Sequence, residues 1–382
     1  MPADGAVRDR EEHGVTHEPG VQEAPVQEAA AQQPEVDVLD VFLSGPLFLD
    51  IVFSGLPSVP RPGTEVWASG MGSLPGGIAN LAVAASRLGL ATGLATGFGD
   101  DVYARWCWEI LADEAIDLSR SVRLPQHTSV TVSLAYGGDR SMITHGHPLT
   151  LGYDELIGDP PPARAVIIDL DDERAEERWW RRAAAAGARV FADLGWDPTE
   201  KWDHSKLSAL EDCYAFLPNA AEAMAYTRTD SAREAARALA DRVPLVVVTM
   251  GHEGAIALDS ATGEECHVPA LDVDAVDPTG AGDVFLAAFA RGSLLDWPLA
   301  QRLRFASLCS GLAVQALGGS LAAPGIGDLH DWWARLETAR AEGDPAAAAL
   351  HEHYRFLPDV LPARPGRVTR RADATFALES DL

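Results

Sequence analysis

The sequence predicts an α/β fold: a mostly parallel sheet flanked by helices, with a small antiparallel sheet as a lid. Three observations carry this. Strand-like and helix-like segments alternate from about residue 38 to residue 316. Some strand segments are continuous apolar runs, VPLVVVTMG above all, the kind buried on both faces. One stretch, HTSVTVSLAYGGDRSMITHG, instead alternates β-branched and small residues around Gly137-Gly138, as hairpins do.

The elements follow in chain order. Residues 1–36 are rich in Glu, Gln, Pro, Ala and Gly with few long apolar side chains, and are expected to be disordered. The fold is expected to begin at the apolar strand VDVLDVFLSG. The segment near Asp50 and TEVWASG read as short strands. GSLPGGIANLAVAASRLG, Gly72 to Gly89, reads as a glycine-pair loop entering a helix. ATGLATGFGDD is a strand then a loop, and VYARWCWEILADEA a helix. The hairpin stretch follows, either as part of a lid or as two edge strands of the main sheet. ARAVIIDLDD is a strand, ERAEERWWRRAAAAG a helix, ARVFADLG a strand, and CYAFLPN a strand meeting a helix. Helices are expected from Asp283 onward and from Pro298 to Ala316. Residues 37–338 thus make one domain, its lid drawn from segments near 50–72 and 127–147. Residues 339–382 are a C-terminal extension, a helix followed by a loose Arg/Pro-rich tail.

The 57 acidic residues against 30 basic give a net charge of −27. Such a charge repels nucleic acid and anionic membranes, so neither is expected as a partner. No run of about 18 apolar residues and no basic-then-apolar leader occur. Cys107, Cys213, Cys266 and Cys309 are scattered, without a CxxC pair. A cytoplasmic protein is expected. Lysine occurs only at 201 and 206. That excludes a Walker A loop, which needs a Gly-Lys pair, and the strand lysine of a protein kinase. No GxGxxG follows the first strand, which argues against dinucleotide chemistry. A phosphate site in this chain has to be local, made of backbone N–H groups, a few Arg and a metal ion.

DPTGAGDVF, from Asp277, is the sharpest candidate. Gly280, Ala281 and Gly282 would put unpartnered N–H groups at the start of a helix, where the dipole favours an anion. Asp283 could accept a proton from an attacking hydroxyl. Read alone, the stretch is equally a tight turn whose Asp caps the helix. Gly76 and Gly77 could approach a polyol, with the Asn80 amide on its hydroxyls, or be an ordinary helix start. Asn219 and Glu222, three apart, suit a water-shelled Mg²⁺, or cap a surface helix. Thr249, Gly251 and Gly254 could hold a nucleotide phosphate or form a hairpin. His145 and His147 read as exposed loop residues rather than a metal site.

Together, GGIAN, NAAE, TMGHEG and DPTGAGD resemble, in order and spacing, the motifs of the ribokinase-like (PfkB) carbohydrate kinases, from about Val38 to Trp333. The resemblance implies a doubly wound α/β domain with a β-sheet lid, and ATP-dependent phosphorylation of a hydroxyl on a sugar or nucleoside-like molecule. It implies Asp283 as catalytic base and Gly280, Ala281 and Gly282 as anion hole. It implies Asp50, Gly76, Gly77, Asn80 and Asp171 on the substrate. Asn219, Thr249, Gly251 and Gly254 would hold ATP, and Glu222 with Asn219 would organise Mg²⁺ through water. Asp277 and Thr279, with the loop Ala316–Ser320, would hold K⁺. A homodimer through the lid also follows from the family. The sequence departs from the family at Ile78, where several sugar kinases carry a polar residue, and at THGHP in the lid. With lysine absent from these segments, an unphosphorylated substrate is expected over a sugar phosphate.

Overall fold

The computed structural model describes residues 38–136, 139–170, 178–195, 197, 199–362 and 376–378. For 139, 140 and 376–378 it describes the backbone only. The N-terminal segment 1–36, the Gly137-Gly138 turn and Asp171 lie outside the described residues.

The chain enters through β1 (Leu39–Ser44), the apolar run foreseen at VDVLDVFLSG. It then leaves the main sheet for β2 (Leu47–Ser54) and β3 (Gly70–Gly77), which pair antiparallel along their full length. TEVWASG is therefore not a strand. Residues 64–68 carry no regular structure, and the strand begins two residues later. Its sequence, GMGSLPGG, has almost no β propensity. Pairing with β2 on one side overrides that.

α1 (Ile78–Arg87) starts directly from the glycine pair. Gly77 has φ of +63°, and a Cβ there would lie 2.4 Å from the Pro46 carbonyl oxygen, so only glycine fits this corner. β4 (Thr92–Ala95) and the short β5 (Gly97–Phe98) follow, then α2 (Val102–Asp113), capped by the Asp101 carboxylate on the Ala104 N–H. β6 (Val122–Arg123) pairs with β5. β7 (Val130–Tyr136) and β8 (Asp139–His145) are the expected hairpin.

The second half is regular β–α alternation: α3 (Tyr153–Ile157), β9 (Ala163–Asp169), α4 (Trp179–Ala185), β10 (Arg189–Asp193), β11 (Ala215–Phe216), α5 (Ala220–Thr227), α6 (Ala232–Ala240) and β12 (Leu245–Thr249). β13 (Ala255–Asp259) and β14 (Glu264–Val268) close that edge as antiparallel strands. Then come α7 (Ala281–Leu294), α8 (Leu299–Ala313), α9 (Gly319–Ala322) and α10 (Ile326–Ala341). α10 runs across residue 338 without a break. α11 (Pro345–Tyr354) and α12 (Leu357–Val360) follow, and Tyr354 and Leu357 are buried in the main core.

The main sheet has eight strands in the order β14-β13-β12-β11-β10-β9-β1-β4, parallel except at the β12–β13–β14 edge. Both faces are covered. Val41 and Leu43 of β1 point into a core shared with α1, α7 and α8, while Phe42 between them packs with Trp179 and α4. This alternation of buried residues is what a doubly wound sheet requires. The lid is a separate five-stranded sheet, β15-β3-β2-β7-β8, in which β15 is Phe376–Leu378 from the chain's C-terminal region. All its pairs are antiparallel except β2–β7. Among the described residues no helix is long and apolar enough to cross a membrane.

Candidate active site

The C-terminal ends of the parallel strands are where α/β sheets hold ligands, and Asn219, Thr249 and the start of α7 come together there. α7 opens at Gly280, whose φ is +74°. A Cβ on Gly280 would sit 3.0 Å from Gly319 Cα. The turn before it is tied down by Asp277, which is buried. Its Oδ1 accepts from the Thr279 N–H (2.9 Å) and hydroxyl (2.6 Å), and its Oδ2 from the Gly318 N–H (3.0 Å). Asp277 and Thr279 thus join the glycine turn to the 316–320 loop.

Asp283 is the third residue of α7, one turn inside the helix start. Burial pushes its carboxyl up to about 6. The Asn80 amide Nδ2, 3.2 Å from Asp283 Oδ2, partly offsets this by favouring the ionised form. The carboxylate is therefore ionised at neutral pH yet close to the pKa a general base needs.

Asn219 caps α5 in a reciprocal box. Its Oδ1 accepts from Glu222 N (3.0 Å), and Glu222 Oε2 accepts from Asn219 N (3.1 Å). Asn219 also forms an isolated parallel bridge with Thr249, which brings the two predicted sites together. Glu222 is buried rather than on a surface helix. Burial raises its carboxyl, and the nearby Asp169 raises it further. Asp169 ends β9 and Asp193 ends β10, paired in register. Burial lifts the Asp193 carboxyl well above the usual range, and the charges of Asp283, Asp169 and Glu222 add to it. Sequence reasoning missed Asp169 and Asp193. The signal was there: each is the final residue of an apolar strand, IID and FAD, at the edge where ligands bind.

Two cavities open on this edge. One, of about 280 Å³, is lined by Thr249, Gly251 and Gly254, by Ala281 and Gly282, and by apolar side chains including Phe285 and Val314. It unites the predicted nucleotide residues with the helix start. Ser307 and Ser310 of α8 also line it, and the Ser310 hydroxyl bonds to the Ala281 carbonyl at 3.0 Å. The second, of about 570 Å³, lies between the lid and the sheet. Its wall includes Ser44, His127, Thr128, His147, Asp169 and Arg178. None of Asp50, Gly76, Gly77, Asn80 or Asp283 lines it. Asp169 connects it to the carboxylates above.

Asp50, on β2, lies against Gly76 of β3: a Cβ on Gly76 would fall 1.9 Å from Asp50 Oδ2. Asp50 and the glycine pair are thus in contact, and the same strand-to-helix corner carries Asn80 to Asp283. His145 and His147 pack edge to face at 5.4 Å. Among the described residues no three His, Cys, Asp or Glu side chains are arranged to hold a metal.

A family model described as pfkB family carbohydrate kinase matches residues 60–325. A cytidine kinase from Thermococcus kodakarensis is 28% identical over 268 residues, 67% of this chain and 92% of that protein. A fructokinase from Klebsiella pneumoniae is 31% identical over 285 residues, 67% of this chain and 91% of that protein. Among solved structures, Arabidopsis thaliana ribokinase complexed with ribose and ATP superposes with a TM-score of 0.61 at 21% identity, covering 76% of this chain and 96% of that one. A protein from E. coli solved with ATP and Mg²⁺ gives 0.66 at 20% identity, covering 78% and 100%. With the family's sheet, its lid and the ordered motifs all present, the chain belongs to the pfkB carbohydrate kinase family of phosphotransferases.

Proposed function

We propose that the protein transfers the γ-phosphoryl group of ATP to a hydroxyl of a free sugar or nucleoside, with Asp283 as general base. One observation carries the proposal. A single carboxylate with a raised pKa stands at the start of α7, whose first residues, Ala281 and Gly282, also wall a nucleotide-sized cavity.

In this reading the adenosine end of ATP rests against Phe285, Val314 and their apolar neighbours. The Thr249–Gly254 turn and the amides of Gly280 and Gly282 receive the phosphates, while the Ala281 N–H, expected to join them, donates to the Pro278 carbonyl at 3.2 Å. Phosphoryl transfer depends mainly on positioning and charge stabilisation. Backbone donors at a helix start supply both without lysine, and removal of one such donor costs about 10²–10³ in rate in other enzymes. Asp283 takes the hydroxyl proton as its oxygen attacks. Asp50, with Gly76 and Gly77 against it, binds acceptor hydroxyls from the lid side, and lid closure limits hydrolysis. Asp171 stays in the proposal as an acceptor ligand on the resemblance alone.

The carboxylates suit a water-shelled Mg²⁺ and not a directly ligated one: burial and Asp169 raise the Glu222 carboxyl, burial and the charges of Asp283, Asp169 and Glu222 raise that of Asp193, and a hard divalent cation nearby would relieve that cost. Glu222 Oε2 already serves the helix cap, so Glu222 and Asn219 would meet the ion through water. When bound, it supplies charge neutralisation at the phosphates. Potassium fits less well. A cation at Asp277 and Thr279 would share a carboxylate that already holds Thr279 and Gly318.

Arg178 in the larger cavity favours one second reading, a sugar phosphate as acceptor. The test is ATP consumption with D-ribose, D-fructose, cytidine and fructose 6-phosphate. We expect the unphosphorylated acceptors to turn over faster. The reverse preference moves the assignment to the Arg178 reading. Absence of turnover with any of them would leave a ligand-binding protein on a kinase scaffold.

A further inference from the structure

We infer that Asn80 is a positioning residue for the base: its amide holds Oδ2 of Asp283 and leaves Oδ1 to take the acceptor's proton. The inference rests on the proposed role of Asp283 and adds to it a choice of oxygen. The resemblance instead implies Asn80 as an acceptor ligand, and the two roles make different predictions.

The geometry points to positioning. Asn80 is 7% exposed, and its Nδ2 donates to Asp283 Oδ2 at 3.2 Å. Its Oδ1 is buried and has no hydrogen-bond partner. Turning the amide over would set Oδ1 against a carboxylate oxygen, which is repulsive. The orientation is therefore dictated by the carboxylate. Oδ1 of Asp283, by contrast, has no hydrogen-bond partner among the described residues.

Gly319 sets the position of the amide. A Cβ there would lie 2.5 Å from Asn80 Oδ1 and 3.1 Å from its Cγ. Gly319 does not have a left-handed φ, so its missing side chain reflects space and not backbone conformation. Its loop is fixed from two sides, by the Gly318 N–H on Asp277 and by the Ser320 hydroxyl on the Pro75 carbonyl at 2.5 Å. Three distant segments, 75–80, 277–283 and 318–320, thus lock one another around a single carboxylate. The charge that shares this region is the Asp193 carboxyl at the end of β10, on which Asp283, Asp169 of β9 and Glu222 of α5 all act. α1 and the 318–320 turn present only neutral groups there. Substitutions at 80 or 319 therefore leave the charges in place and act on the hydrogen bond, with Gly319 also packing against Gly280.

The experiment uses Asn80→Ala and Gly319→Ala in the full chain. The Asp283 carboxyl is followed by ¹³C NMR against pH, its resonance assigned by its loss in Asp283→Asn. Kinetics use the best acceptor among D-ribose, D-fructose and cytidine. We expect the carboxyl to titrate at higher pH in both variants, because a bond favouring the ionised form is lost or bent. We expect kcat to fall roughly ten- to hundred-fold, the scale of a misplaced reacting group, with acceptor KM within about threefold. An unmoved titration overturns the inference without any acceptor being needed, and a raised acceptor KM at constant kcat would restore Asn80 to the substrate. Asn80→Ser provides the same readings where Asn80→Ala fails to fold. Full kcat in Asp283→Asn would instead sink the base assignment itself.

Discussion

On its nucleotide side the cleft is a backbone surface carried by the main sheet and two long helices. On its acceptor side it is walled by a smaller sheet whose strands come from four separate stretches of chain. The first side is braced at each point: Thr249 to Asn219, Ala281 to Ser310, Asp277 to Gly318. The second exposes Met71, Met142 and Ile143 and leaves β8 as an open edge. The difference teaches that, in the proposed reading, the two substrates meet different kinds of wall. ATP would meet fixed main-chain donors, a local solution for a chain of net charge −27. The acceptor would meet side chains on the separate, smaller sheet. Perturbations should therefore separate by side.

Asp283→Asn strikes where the sides meet and carries the largest expected effect, a kcat loss of roughly 10²–10⁴. ATP affinity, measured by calorimetry, should hardly change. In the wild-type protein kcat/KM should fall as pH drops below about 6, where burial places the Asp283 carboxyl and protonation removes the base. The linked stability has a definite sign. A carboxyl raised by folding is penalised above its folded pKa, so Asp283→Asn should melt higher than wild type above pH 6. That gap should close between pH 6 and 4. A melting difference independent of pH would mean that the Asp283 carboxyl is not raised by folding.

Gly76→Ala probes the acceptor side alone. Its Cβ would collide with the Asp50 carboxylate, 1.9 Å away. Acceptor KM should rise by roughly a hundredfold, about two steps of 1.4 kcal/mol, with ATP KM unchanged. Ala275→Trp is the counterpart. Ala275 lines the 280 Å³ cavity, and an indole there should raise ATP KM about tenfold with acceptor KM unchanged. Effects that cross between the two substrates would break the separation.

The same contrast marks what was legible in the sequence. The nucleotide side is written in short local patterns, because a helix start with glycines, a capping pair and a strand-end turn each need only a few neighbouring residues. DPTGAGD, NAAE and TMGHEG could therefore be read in place. Asp169 and Asp193 could each be read as the end of an apolar strand, but their meeting depends on the register of β9 against β10, which no local pattern encodes. The lid was legible as a hairpin but not in detail. TEVWASG has the propensity of a strand and is not one, while GMGSLPGG lacks it and is, because pairing with β2 decides. The larger cavity's Arg178 and His127 come from segments with no ligand signature at all.

β15 gives the smallest expected effect and the most direct test of whether the lid is the softer wall. Phe376, Ala377 and Leu378 pair antiparallel with Gly72, Met71 and Gly70, at the far end of the strand that carries Gly76 and Gly77. β15 covers only Gly70 to Gly72 of that edge, and the terminal strands of the lid sheet are β15 and β8. Truncation after Pro362 removes the strand and leaves the described core of α10 to α12 intact. Each backbone hydrogen bond contributes about 0.5–1.5 kcal/mol net, and a three-residue edge strand makes few of them. The loss acts on the lid's positions and not on the main sheet. Acceptor KM should therefore rise only about two- to fivefold, ATP KM should hold, and the melting temperature should move little. If ATP KM shifts with it, the lid edge is coupled to the main sheet and the two walls are one. If neither KM moves, the end of β3 bearing the glycine pair is held by β2 alone, and the acceptor side is stiffer than its exposed edges imply.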